Sequence, residues 1–270
     1  MFSLRCLVLA VCAAVLSQSA AAWPEQLKRF LPGPTVEQVE AQTIRHGGVE
    51  LVLEFAEAVD NEAAEQTVQF LKKRFKTLRR AISIVDLTPD NQITITVARS
   101  DDTERLRALA LRSGRLSFHE ANLSQSSISA VMERGEAPAG WIVTEGPYMG
   151  PVLIREAPLF DGNMIDTVSA DRSYYDKYPV LNFSLKPDAS EAFFDYTRDN
   201  IGKFFALRLD GEILSIPRIN EPIAGGHVQI SGGFEVAEAK DMEAVLRYGP
   251  LPVDLKLVSE RVISPTPEVE

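Results

Sequence analysis

Between Val49 and Phe118 the apolar residues recur first at every second position, then at every third or fourth, and the two periods alternate. The resulting order is strand, helix, strand, strand, helix, strand. A period of two suits only a pleated strand and a period of 3.6 only a helix, so few folds accept this order. Val49, Leu51, Leu53 and Phe55 alternate with Glu50 and Glu54. Ala64, Val68, Leu71, Phe75 and Leu78 follow at helical spacing and define one buried face. The later turns carry Lys72, Lys73, Arg74, Lys76, Arg79 and Arg80, where the helix dipole favours cations. This basic run reads as a solvated helix face.

Ile82, Ile84 and Val85 make a second strand, and Ile93, Ile95 and Val97 a third, with Thr88-Pro89-Asp90-Asn91 as turn chemistry between them. Ser100 reads as an N-cap with Asp101 and Asp102 in the first turn of a helix through Leu106, Leu109 and Ala110. Gly114 stops that helix, and Leu116 and Phe118 resume a strand. Residues 44–122 therefore predict a ferredoxin-like βαββαβ base. The fold class is α+β, with a mixed α+β head of residues 123–250 inserted.

Head residues 122–178 are rich in Ser, Gly and Pro and predict an irregular, partly β stretch. Beyond it, Val180, Leu181, Phe183 and Leu185 form a strand, and Asp188 with Glu191 reads as the start of a helix through Phe193 and Tyr196. Asp210-Gly211 between alternating apolar runs signals a hairpin, because both residues tolerate positive φ. A strand around Val228–Ile230 ends at Gly232-Gly233, a helix over Glu235–Arg247 stops at Gly249-Pro250, and Val253, Leu255 and Leu257 form a last strand. The tail, 263–270, is polar.

Residues 1–22 place Arg5 before an apolar run and Ala20-Ala21-Ala22 before Trp23, the order of a secretory signal peptide. A retained inner-membrane anchor is the alternative. Residues 23–43 read as a linker. Cys6 and Cys12 both lie in the leader, so the exported chain would hold no disulfide and no thiol nucleophile. The net charge of −10 over the whole sequence repels nucleic-acid phosphate, so no nucleic-acid partner is expected. The histidines His46, His119 and His227 are far apart in sequence, and no serine sits in a nucleophile elbow. No catalytic residue, metal site or cofactor is expected. Trp141, Tyr148, Met149, Tyr174, Tyr175 and Tyr178 cluster in the irregular head segment. They read either as that segment's own small core or as an adaptable contact surface for polypeptide.

Four stretches resemble the first periplasmic domain of SecD, an auxiliary subunit of the bacterial preprotein translocase. They are the strand opened by Gly47-Gly48, and the base segments Leu71–Arg80, Ile93–Val97 and Ser113–Phe118. The third is the hairpin Leu207–Pro217, with Asp210, Gly211 and Pro217. The last is Gly226–Phe234, containing Gly232 and Phe234, joined by Leu246–Pro252 with Gly249. The family places a Gly-x-Asp-Leu segment before the glycine pair, where this chain has Gln42-Thr43-Ile44-Arg45. In the family the strand after the Leu-Pro run leads to further membrane spans, whereas here Val262-Ile263-Ser264-Pro265 enters the polar tail.

The resemblance implies a periplasmic protein whose base receives the strand 251–262 and whose head contacts emerging chains. It implies binding of unfolded or newly exported polypeptide in translocation or early folding, with no proton-coupled motor activity of its own. The Sec translocon membrane subunits are further expected partners. The alternative is an envelope adaptor docking to one folded partner, and an enzyme is the third reading.

Overall fold

The chain crosses from one layered unit to another and back, and residues at the two crossings fix how the units meet. The structure, a computed structural model, describes residues 34–266 apart from 78–81, 101, 148–149, 174–177 and 232. The expected leader and most of the expected linker lie outside the described residues, as does the end of the tail. The last part of the expected linker is helical: α1 spans Val36–His46 and buries Val39 and Thr43. The base continues with β1 (Gly48–Phe55), α2 (Asn61–Phe75), β2 (Ile82–Leu87), β3 (Gln92–Ala98) and α3 (Thr103–Leu111). The N-cap of α3 is Asp102, whose carboxylate accepts from the Arg105 amide, rather than Ser100.

Strand β4 (Leu116–Asn122), expected to close the base, leaves it and pairs antiparallel with β10 (Phe204–Leu209). The fourth place in the base sheet goes to β13 (Leu255–Ile263), giving the order β13-β1-β3-β2 with every pair antiparallel. The apolar faces of the two strands pack in different cores. Leu116 and Phe118 of β4 enter the head core beside Phe193 and Phe205, whereas Leu255 of β13 packs in the base core. Alternation marks both segments as strands and is silent about their partners.

The base core follows the periodicity. Val49, Leu51 and Leu53 of β1 and Ile93, Ile95 and Val97 of β3 meet Val68, Leu71 and Phe75 of α2 and Leu106, Leu109 and Ala110 of α3. The glycine pair at the start of β1 has a steric cause. Gly47 adopts φ +73°, and a Cβ on Gly48 would stand 2.5 Å from the Val97 carbonyl oxygen, where backbone rather than a movable side chain blocks it. Gly48→Ala is expected to cost about 2 kcal/mol, the scale of overpacking, read as a lower denaturation midpoint. A loss below a few tenths of a kcal/mol would contradict the close approach.

The head adds α4 (Gln125–Arg134), β5 (Trp141–Gly146), β6 (Gly150–Arg155), β7 (Phe160–Asp161), β8 (Ile165–Arg172), β9 (Pro179–Leu185), α5 (Pro187–Asp199), β11 (Glu212–Ser215), β12 (His227–Ser231) and α6 (Val236–Arg247). One sheet runs β11-β10-β4-β6-β5, with β7 also on β4, and a second runs β12-β9-β8. The stretch read as irregular is therefore largely regular. Helix α4 escaped because its serines favour caps and turns, yet Ile128 and Val131 bury one face and Gly135, at φ +75°, ends it. Helix α5 starts from Lys186 with Pro187 in its first turn, not from an Asp188 cap. The α+β class holds.

Helix α6 belongs to both cores. Ala239, Met242 and Leu246 face the head core, while Ala244 and Val245 face the base. Its buried Glu243 accepts from the Ala170 amide of β8 and pairs with Lys240 and Arg247 on its own helix, which fastens α6 to the head.

Candidate functional site

The crossings between base and head are residues 112–115 and 249–254, and an arginine from α2 ties them together. Arg74 is fully buried (0% exposed). It donates to the carbonyl of Arg112, to that of Ser113 at 2.9 Å and to that of Gly249 at 3.5 Å. Burial pulls the Arg74 guanidinium down to about 10, with Asp210 acting in the opposite direction, so it stays charged at neutral pH. Arg74 is thus a correction to the solvated-face reading, which suits its exposed neighbours Lys72 and Lys73. The signal was available in the spacing: Arg74 falls seven residues after Thr67 and three after Leu71, both buried on the inner stripe.

Asp210 completes the joint. It forms the β10–β11 turn with Gly211, at φ +52° and +91°, and its carboxylate accepts from the amides of Gly114 and Arg115, each at 2.8 Å. The Asp-Gly pair thus serves the hairpin and the first crossing at once. Asp254 accepts from Ser113 at 2.5 Å and Arg115 at 2.9 Å, and those bonds hold its carboxyl below the usual range. The Pro217 carbonyl accepts from the Phe205 amide, Phe234 is in the head core and Gly249 turns the chain at φ +79°. Gly232 lies outside the described residues.

The expected contact residues divide. Trp141 and Tyr178 are described; Tyr148, Met149, Tyr174 and Tyr175 lie outside the described residues. Trp141 pairs with Arg155, at the far end of the β5–β6 hairpin from Gly146 and Gly150. Its ring lies 4.7 Å from the Arg155 guanidinium and packs against Ile128, Val131 and Leu153, so this member joins a small core. Tyr178 precedes β9 in the other sheet and is 67% exposed. The structure does not bring Trp141 and Tyr178 onto one element.

A residue absent from the sequence expectation stands out instead. Met132 on α4 is 62% exposed and borders a shallow cleft of about 330 Å³ with Gln125, Ile128, Ser129, Glu133 and Pro151. Pro151 pairs with Glu145 beside the Gly146–Gly150 end of the β5–β6 hairpin. An unbranched thioether at the edge of a shallow cleft adapts to varied side chains. The serine-rich start that hid α4 also hid this methionine.

His119 shows what an isolated histidine does here. Its Nδ1 lies 2.7 Å from the Arg155 carbonyl and its Nε2 2.8 Å from Ser117 Oγ, bridging β4 to the end of β6. Burial pulls the imidazole below its ordinary value, against the bond to the carbonyl, and Arg208 adds to the lowering. The unfolded chain, titrating near about 6.5, then takes up this proton more readily than the fold does. The contribution is complete above that value and is lost as pH falls from it through the lowered folded value. Between pH ~7.5 and ~5 the wild-type protein is expected to lose more denaturation free energy than His119→Gln; parallel losses would contradict this. Among the described residues no group of three or more His, Asp or Glu is placed to hold a metal ion.

Residues 142–253 match the family model of the SecDF P1 head subdomain. The chain is 30% identical over 205 residues to protein translocase subunit SecD of Rickettsia bellii, covering 76% of this chain and 39% of that protein. It is 27% identical over 237 residues to SecD of Acidaminococcus fermentans, covering 86% and 49%. The chain thus spans less than half the length of these relatives. Among solved structures, a SecDF described as a membrane component that enhances protein export superposes with TM-score 0.57 at 25% identity, covering 78% of this chain and 98% of that one. SecDF in a super-membrane-facing form shares the fold at TM-score 0.60 and 24% identity, over 96% of this chain and 35% of that one. Over most of its length the chain is similar to the periplasmic P1 domain of SecD, with residues 142–253 as the counterpart of the P1 head.

Proposed function

We propose that this chain is a periplasmic SecD-like protein that works in protein translocation by contacting unfolded or newly exported polypeptide through its head. The observation that carries the reading is the match of residues 142–253 to the SecDF P1 head, inside similarity to SecD that covers 76% of the chain. The head surface supports the contact role: Met132 and Tyr178 are exposed, the cleft beside Met132 is shallow, and contacts that must fit many sequences favour side chains able to repack. The proposal gives the chain neither proton-coupled work nor catalysis. The Sec translocon membrane subunits are its proposed neighbours, reached by an N-terminal export signal. Among the described residues no helix is long and apolar enough to cross a membrane.

Photoreactive groups at Met132, Trp141, Tyr148 and Tyr178, activated in living cells and read by mass spectrometry, test the reading. Adducts with many unrelated exported proteins are expected at Met132, and few at the packed Trp141. One dominant folded partner at all positions would replace the reading with that of a docking adaptor.

A further inference from the structure

The fold treats the two edges of the β12-β9-β8 sheet differently. The Ser173 amide donates to the Tyr178 carbonyl at 2.8 Å, which makes these residues a hydrogen-bonded pair at the end of the β8–β9 ladder. Such pairs recur at every second position of an antiparallel ladder. With Asp171 opposite Val180 and Ser169 opposite Asn182, the backbone groups of Val180, Asn182 and Ser184 turn to β8. Those of Leu181 and Phe183 turn to β12, where they meet Ile230 and Val228. The N–H and C=O groups of Ala170 on β8, and of His227, Gln229 and Ser231 on β12, therefore point off the two edges.

The β8 edge is closed. Glu243 accepts from the Ala170 amide, and Lys240 Nζ donates to the Ala170 carbonyl at 2.6 Å. The β12 edge is open. His227, Gln229 and Ser231 are exposed, and among the described residues no further strand pairs with β12. The Ser231 carbonyl has a long bond from Ser215 Oγ, at 3.4 Å. Gln229 Nε2 donates to Asn182 Oδ1 at 2.9 Å, and the His227 ring stands 3.5 Å from Ser184 Oγ. Both side chains thus reach back across the sheet to β9 and leave the edge uncovered. In the base, by contrast, the edge strand β13 carries Lys256, Glu260 and Arg261 and bulges opposite Val52 and Leu53, devices that discourage pairing with another strand. Strand β12 has no lysine, proline or bulge.

We infer that the β12 edge takes an extended, unfolded polypeptide segment as a fourth strand of this sheet. The inference rests on the head reading proposed above and gives that reading a mode of recognition. Main-chain bonds are the same for nearly every residue, so an open edge holds chains of varied sequence. A folded protein keeps its buried amides paired internally and has none to offer. The outward residues of β12 form a short ladder, so the hold is reversible. Tyr178, which is exposed, precedes β9 at the end of the sheet where Val180 meets Ser231.

The test titrates the purified full chain with a short labelled peptide alternating serine and valine, and with the same peptide N-methylated throughout, followed by fluorescence anisotropy. N-methylation keeps each side chain and removes each amide N–H, and is expected to weaken binding at least about ten-fold. Gln229→Pro removes the outward N–H, a change that an edge strand accepts. It should weaken binding of the unmethylated peptide by a similar factor, with the unfolding midpoint within error of wild type. If that variant does not fold, the two peptides on the wild-type chain decide. Equal binding of both peptides, or of neither while unfolded protein is still captured, would overturn the inference and leave the head reading standing. No capture of unfolded protein would overturn both. A dimer that Gln229→Pro dissociates would give the edge to a second copy of the chain and overturn the inference.

Discussion

Arg74→Met is expected to lower the unfolding free energy by about 3–5 kcal/mol, the cost of removing one member from a buried charged network. The substitution leaves carbonyls of Arg112, Ser113 and Gly249 without their donor and deprives Asp210 of the opposite charge that acts on Arg74. Methionine refills part of the volume, so the loss reports polar pairing more than a cavity. Arg74→Lys keeps the charge but concentrates its donors at one point, so it should recover only part of the loss. In a double-mutant cycle, Arg74→Met and Asp210→Asn should be non-additive by at least about 0.5 kcal/mol, as for residues in one network. A loss below about 1 kcal/mol for Arg74→Met would show that the crossings hold without the clamp.

The second large effect is expected in the head core. Phe193 of α5 is buried, with ring centroids 6.1 Å from Phe118, 5.6 Å from Phe160 and 5.9 Å from Phe205, all near edge-to-face. Phe193→Ala removes the ring that joins α5 to β4, β7 and β10, and should cost about 3–5 kcal/mol by lost burial and residual cavity. Phe193→Leu should cost less, because it keeps more of the volume. Chemical denaturation of both variants reads the difference. Equal, small losses would mean the cluster closes around the gap and contributes little.

Periodicity carried most of the base. The alternation in β1 and β3 and the stripe on α2 describe one sheet face against two helices, and the structure packs those residues together. Pairing was less legible. Strands β4 and β13 have similar alternation, and alternation does not say which strand each will pair with. Arg74 was hidden by its company, since three exposed lysines lie within two positions of it while spacing places it inside. In the head, serines that disfavour helix interiors masked α4 and with it Met132. Trp141 looked like a contact residue because aromatics serve both cores and interfaces, and nothing in a linear sequence shows that Arg155 stacks on it.

The central claim is that the head of this SecD-like chain recognises polypeptide that has not folded. The most direct measurement titrates the purified chain with one labelled protein in two states, natively folded and held unfolded, and compares wild type with Met132→Ala. The account predicts that the unfolded state binds at least about ten-fold more tightly, and that Met132→Ala narrows the difference without lowering the unfolding midpoint. Equal affinity for the two states, or no binding to either, would contradict it.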